Sequence, residues 1–228
     1  MSLSADLPAA DRNDRSFARR RMVDTQVRPV GVSDPRLLEA MRDLPRERFV
    51  PPDRGEIAYM DDDVPLGNGR VLMEPRIAGR LLQCLAPRRG ETALVIGAGT
   101  GYSACLLGRL GLIVTALEQD PALLAAGREL GGQLQPGLSW REAPFAAGLA
   151  DAAPFDIILI DGAVRAAPHA LAVQLSATGR LGGVLMQAAR VGRAFVAEAA
   201  PGGLAIRPQF DATTAILPGF DAPDVFRF

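Results

Sequence analysis

The run Ala93-Leu94-Val95-Ile96 passes straight into Gly97-Ala98-Gly99-Thr100-Gly101 and then into a helically patterned stretch over residues 102–110. Three glycines in five residues between a buried strand and a helix do little for packing. The first permits a tight turn, the second lets a ligand approach the backbone, and the third allows close passage into a helix whose free amides favour a polar or anionic group. Gly97, Ala98, Gly99, Thr100 and Gly101 are therefore the first candidates for cofactor binding. In the dinucleotide fingerprint the third glycine falls one place later, where this chain has Tyr102, so the spacing speaks against a nicotinamide cofactor.

A βα rhythm continues from there, with a strand over 112–117 and a helix over 121–130. Residues 155–160 are apolar too continuously for a half-exposed strand and belong at the centre of a parallel sheet. A helix over 169–175, a strand over 184–187 and a closing pair over 194–198 and 205–208 complete the pattern. The second strand ends at Glu118, twenty-one places after Gly97, with Gln119 next to it. A carboxylate there can accept two hydrogen bonds from a ribose diol, a requirement common to NAD and S-adenosylmethionine. The plainer alternative is a solvated residue ahead of Asp120 and the helix-starting Pro121. Asp161 ends the next buried strand, placed either to receive a donor from cofactor or substrate or to serve as a turn residue before Gly162.

The first third of the chain is different. A polar helix over about 14–26 stops at Pro29 and Gly31, and a second is capped by Ser33 or Asp34 with Pro35 at its first position. Residues 48–69 are rich in breakers and read as turns with short extended pieces around a solvated acidic turn, Asp61-Asp62-Asp63. That turn is a poor metal site without further oxygen ligands, and no metal is expected. A helix resumes near Glu74 or Pro75. The expected organisation is an α/β domain over 70–228 with a predominantly parallel sheet and helices on both faces, carrying a helical and loop cap over 1–69, together one compact unit.

Composition narrows the chemistry. All 25 basic residues of the 228 are arginine, and His169 is the only histidine, which excludes a Schiff-base lysine, a Walker lysine or a histidine cluster. A net charge of −1 supplies no global field for nucleic acid or an anionic membrane, and Arg19-Arg20-Arg21, without an aromatic platform, reads as a solvated helix face. Cys84 and Cys105 lack CxxC spacing and read as free thiols in a reducing compartment. No apolar signal core and no uninterrupted eighteen-residue apolar segment occur, so the expectation is a cytoplasmic protein.

Several ordered phrases carry a resemblance: Met22-Val23, Leu38-Glu39-Ala40-Met41, Pro45-Arg46-Glu47-Arg48-Phe49-Val50-Pro51, Ala58-Tyr59 with Asp61, and Pro65-Leu66-Gly67-Asn68-Gly69. With the glycine run, Glu118 and Ala153-Pro154-Phe155-Asp156-Ile157-Ile158, they make residues 20–190 resemble the protein-L-isoaspartate O-methyltransferases. The resemblance implies a Rossmann-like methyltransferase fold, S-adenosylmethionine as methyl donor, and the carboxylate of an isoaspartyl residue in a damaged peptide or protein as acceptor. Alternatives are another carboxylate substrate, or a non-catalytic relative that binds the cofactor. A monomer or weak dimer is expected.

The departures from the family pattern matter as much. After Gly69 the family continues Gln-Thr-Ile-Ser, whereas this chain has Arg70-Val71-Leu72-Met73, which puts Met73 at the active-site serine position. A thioether cannot donate the hydroxyl proton. Where the family has Gly-Asp-Gly this chain has Ala143-Pro144-Phe145, and Glu142 is the acidic residue available to compensate by a small loop shift. Asp161-Gly162-Ala163 replaces Thr-Ala-Ala and brings an extra carboxylate to the transfer site. Arg70 is a candidate partner for the substrate carboxyl, with a surface-exposed arginine as the alternative reading.

Overall fold

The computed structural model describes residues 9–186 and 191–220, so Gln187 of the strand expected over 184–187 lies outside the described residues. Helix α1 (Ala9–Met22) runs into a π-helical turn (Val23–Val27) and is followed by α2 (Pro35–Asp43). The Asp34 carboxylate accepts from the Arg36 amide at 2.9 Å and Pro35 fills the first helical position. A cap of this kind is worth about 1 kcal/mol. Two 3-10 segments (Arg46–Phe49 and Pro52–Tyr59) and a small hairpin, β1 (Val64–Gly67) with β2 (Arg70–Leu72), occupy the breaker-rich stretch. Helix α3 (Pro75–Cys84) leads into the main domain.

The main sheet comprises β3 (Thr92–Ile96), β4 (Ile113–Leu117), β5 (Ser139–Arg141), β6 (Phe155–Val164), β7 (Leu175–Leu185), β8 (Arg193–Ala200) and β9 (Gly203–Asp211), in the order β5-β4-β3-β6-β7-β8-β9. The first five strands are mutually parallel, and β8 and β9 close the sheet antiparallel. Helices α4 (Tyr102–Arg109) and α5 (Pro121–Leu134) connect β3 to β4 and β4 to β5.

The continuous apolar runs are explained by burial on both faces. In β3, Ala93 and Val95 enter one core cluster while Leu94 and Ile96 enter the other; in β6, Ile157 and Leu159 face the first and Ile158 and Ile160 the second. Each fully buried side chain of this size stabilises the fold by about 1.5–3 kcal/mol. Val23, Leu37, Met41 and Phe49 of the N-terminal third belong to the same cluster as Val95 and Leu106. The opposite face is covered by Phe145, Leu149, Leu171 and Leu217 from 3-10 segments and loops.

The structure departs from the expected strands in three places: β5 was not anticipated, β7 starts at Leu175 rather than at Val184, with a 3-10 segment (His169–Gln174) in place of the expected helix, and β6 ends later than expected. β6 does not end at Asp161 but continues to Val164, because β7 goes on pairing with it after β3 has finished at Ile96. The register shifts between Leu159 and Ala163, and Ile216 bridges Ala163 from the other side. Asp161 thus lies in the irregular stretch beside the end of β3. Cys84 and Cys105 are free thiols. Among the described residues no helix is long and apolar enough to cross a membrane.

Candidate active site at the glycine loop

Gly97, Gly99 and Gly101 sit at φ 73°, 57° and 99°, the left-handed region that a side chain makes costly. The Gly97 and Ala98 amides both donate to the Leu117 carbonyl, at 3.0 and 3.1 Å, which folds the loop back over the end of β4. Thr100 Oγ1 donates to the Phe49 carbonyl at 2.6 Å, and the Phe49 ring meets Tyr102 edge-on at 5.3 Å, so the cap grips the loop from outside. The loop lies at the carboxyl ends of β3, β4 and β6, the switch point where open α/β sheets gather ligands.

All five loop residues are buried, and the reason is the chain's own side chains. Arg70 is 4% exposed and Glu118 0%, which overturns both the surface-exposed reading of Arg70 and the solvated reading of Glu118. Arg70 Nη1 donates to the two Glu118 oxygens at 2.8 and 2.9 Å, and Nη2 donates to the Gly97 carbonyl at 2.7 Å. Glu118 also accepts from the amides of Gly99 at 2.7 Å, Gln119 at 2.9 Å and Asp120 at 3.0 Å. The carboxylate expected from sequence to accept a ribose diol is saturated by internal donors.

Apolar groups complete the closure. The Phe145 ring lies 5.0 Å from the Arg70 guanidinium carbon. A Cβ added to Gly97 would stand 2.6 Å from Leu217 Cδ1, and one on Gly162 2.7 Å from Leu217 Cδ2, so Leu217 sits in the notch those two glycines leave. Leu66 Cδ1 takes the corresponding place over Gly99, at 3.1 Å. Below the loop, the Trp140 ring lies 2.9 Å from where a Gly101 Cβ would stand.

Met73 is 4% exposed, and its carbonyl accepts from Arg46 Nη2 at 2.6 Å. Arg46 is fully buried, donates through Nε to the Ala58 carbonyl at 2.6 Å, and stacks 4.8 Å from the Tyr102 ring centre. It ties the Pro52–Tyr59 segment to the strand end that carries Met73. Asp61 and Asp62 are exposed, as expected of an acidic turn, but Asp63 is not solvated in the same way. It accepts from the Glu74 amide at 2.8 Å and from Thr214 Oγ1 at 2.7 Å. Burial pushes the Asp63 carboxyl upward despite these bonds. The Asp161 carboxyl is pushed to about 6, chiefly by burial, while a hydrogen bond from Ser103 and the charges of Arg70 and Arg46 pull it back and Asp63 adds to the rise.

Of the predicted site residues, the loop, Glu118 and Arg70 come together directly; Asp161 lies within reach of the charges of Arg70 and Arg46, and Met73 is linked to Tyr102 only through Arg46. Gln119 turns its side chain to the Phe145 amide, at 3.4 Å, and Glu142 is exposed beyond β5. Arg19 departs from the solvated-face reading: it donates to the Arg42 carbonyl at 2.8 Å and pairs with Glu47 at 3.2 Å. Sequence reasoning gave no role to Arg46, Phe145 or Leu217, although Arg46 stands inside the phrase 45–51 and Phe145 inside the stretch that replaces Gly-Asp-Gly.

The family model of protein-L-isoaspartate(D-aspartate) O-methyltransferase matches residues 18–188. A protein-L-isoaspartate O-methyltransferase of Methylorubrum extorquens (strain PA1) is 42% identical over 168 residues, 74% of either chain. One of Anaeromyxobacter sp. (strain Fw109-5) is 37% identical over 76% of this chain and 72% of its own. Among solved structures, a protein-L-isoaspartate O-methyltransferase superposes with a TM-score of 0.76 at 20% identity, over 88% of this chain and 66% of that one. A second, from Plasmodium falciparum in complex with S-adenosyl-L-homocysteine, gives 0.75 at 17% identity, over 87% and 97%. The Rossmann-like fold is therefore the family's own, and the chain belongs to the protein-L-isoaspartate O-methyltransferase family of S-adenosylmethionine-dependent methyltransferases.

Proposed function

We propose that this chain methylates the carboxylate of isoaspartyl residues in altered proteins, and that the described arrangement is its closed state. The observation that carries the reading is the glycine loop with Glu118 at the switch point of the sheet, inside a chain of this family. S-adenosylmethionine does not fit the arrangement as it stands, because Glu118 has no free lone pair facing solvent and Leu217 and Leu66 lie on the loop. The binding residues are present and covered.

On the acceptor side the chain's chemistry suits a carboxylate in one respect. Such an acceptor brings its own lone pair and needs alignment and exclusion of water more than a base. The only histidine is engaged elsewhere: His169 Nδ1 accepts from the Leu204 amide at 3.0 Å. At the family's serine position, Arg46 links the Met73 carbonyl to the Ala58 carbonyl. A second reading, a different acceptor, is favoured by Asp63 and Asp161, which repel a carboxylate when ionised and welcome a hydrogen-bond donor, and by the thioether of Met73.

Methyl transfer from labelled S-adenosylmethionine to matched peptides bearing L-isoaspartate or L-aspartate separates the two. Incorporation confined to the isoaspartyl peptide supports the first reading. Cofactor binding with no incorporation into either peptide supports the second.

A further inference from the structure

We infer that Arg70 is an internal competitor for the cofactor, a bolt across the adenosyl site whose withdrawal sets the affinity for S-adenosylmethionine. The inference rests on the reading that this chain takes that cofactor, and it concerns how the site is opened.

Three positions on the loop face are open to a ligand in principle: the Glu118 carboxylate, the Gly97 carbonyl, and the space that the glycines leave. Arg70 takes the first two with one guanidinium, through Nη1 and Nη2. Leu217 and Leu66 take the third. A ribose diol donates two hydrogen bonds to a carboxylate, and every Glu118 oxygen already accepts at least two. Arg70 and the ribose therefore exclude each other.

The bolt is carried by a hairpin whose hydrogen-bonded ladder is separate from that of the main sheet. Arg70 and Leu66 lie on the two strands of the β1–β2 hairpin, which forms its own two-stranded sheet apart from the seven-stranded one. Its tip, Gly67-Asn68-Gly69, has positive φ at all three residues and is fastened to the main domain through Asn68 Nδ2, which donates to Asp120 at 2.7 Å. Asp120 is two residues from Glu118, so the hairpin reaches the cofactor edge at two points. Leu217 is carried by the segment after β9, held by its amide to the Ala163 carbonyl at 2.9 Å. Withdrawal of the hairpin takes Arg70 and Leu66 away together.

The charge distribution favours exchange over permanent closure. Taking an ion pair out of water costs much of what the pair returns, and three backbone amides remain on Glu118 when Arg70 leaves. Two ribose hydroxyls can take over from the guanidinium, which then returns to water. Because only the withdrawn form is competent, the apparent dissociation constant is the intrinsic one divided by the fraction withdrawn. A neutral side chain at position 70 removes that reduction.

Calorimetric titration of the full chain with S-adenosylmethionine, alongside Arg70→Gln, Arg70→Lys and Leu217→Ala, tests the bolt. Arg70→Gln is expected to bind at least ten-fold more tightly than the unaltered protein, Arg70→Lys to return most of the way towards the weak value by restoring a charged partner for Glu118, and Leu217→Ala to bind several-fold more tightly. Equal or weaker binding by a folded Arg70→Gln protein overturns the inference while leaving the cofactor reading intact. If Arg70→Gln does not fold, Leu217→Ala decides, and unchanged or weaker binding there overturns it. Absence of binding by every protein at millimolar cofactor overturns the cofactor reading and the bolt with it.

Discussion

Arg70 and Glu118 meet at 2.8 and 2.9 Å across the end of β4, and the two partners are unequally supported. Glu118 holds three backbone amides besides the guanidinium, whereas Arg70 holds one carbonyl and the face of Phe145. The ion pair therefore sits on a carboxylate that is stable without it.

Removing either partner should expose that asymmetry. Glu118→Gln leaves a buried guanidinium without its counter-charge and is expected to cost about 3–5 kcal/mol. Arg70→Gln leaves a carboxylate still bonded to three amides and is expected to cost about 1–2 kcal/mol. Urea unfolding of both variants measures the difference; a larger loss in Arg70→Gln would contradict it.

Gly99 is held at φ 57° beneath Leu66, so Gly99→Val meets both backbone strain and a neighbour 3.1 Å from the new Cβ. The expected loss is about 1–3 kcal/mol, read as a lower melting temperature. Gly132, in α5 with nothing within 4 Å of an added Cβ, is the control. Gly132→Ala is expected to be neutral or to stabilise by up to about 1 kcal/mol.

The Asp161 carboxyl titrates at about 6, above its ordinary value near 3.8, so the folded protein holds this proton more tightly than the unfolded chain. Stability is then lost as pH rises through the window from about 4 to 6 and stays lost above it. Asp161→Asn keeps an oxygen for Ser103 and escapes the loss. Its stability relative to the unaltered protein should grow across that window by about 1–2 kcal/mol, allowing for residual solvent contact at Asp161. Denaturation midpoints at pH 4 and pH 7.5 supply the comparison, and a difference independent of pH would count against the buried carboxyl.

Met73→Ser places a hydroxyl where the thioether stands, while the Met73 carbonyl that receives Arg46 is backbone and survives the change. Alone, the substitution is expected to cost about 2 kcal/mol through the lost apolar volume and to leave cofactor affinity unchanged. Combined with Arg70→Gln, it should raise methyl transfer to an isoaspartyl peptide above either single variant in the same assay. Equal rates in the double variant and in Arg70→Gln would show that the hydroxyl is immaterial to this acceptor.

β3 and β6 were legible because they are buried on both faces and bounded by glycine and proline, whereas the three-residue β5 and the first part of β7 had no continuous apolar run to read; Asp34 with Pro35, and Gly97 to Gly101, are local signals read from a few neighbours. Arg70 and Glu118 were legible one at a time, as a departure at a family position and as a strand-end acid. Their contact was not, because a partnership across forty-eight residues leaves no periodicity. Leu217 was hidden for the same reason, since its seat is made by glycines 97 and 162 and nothing near 217 announces it. Asp161 was placed at a strand end because the apolar run 155–160 stops before it, whereas pairing to β7 and the bridge to Ile216 carry the strand on to Val164.

The most direct measurement is a crystal structure of the full chain grown with S-adenosyl-L-homocysteine. The expected result is a ribose hydrogen-bonded to Glu118, with Arg70 withdrawn on a displaced hairpin and Leu217 lifted from Gly97. Ligand bound over the loop with the Arg70–Glu118 pair still intact would contradict it.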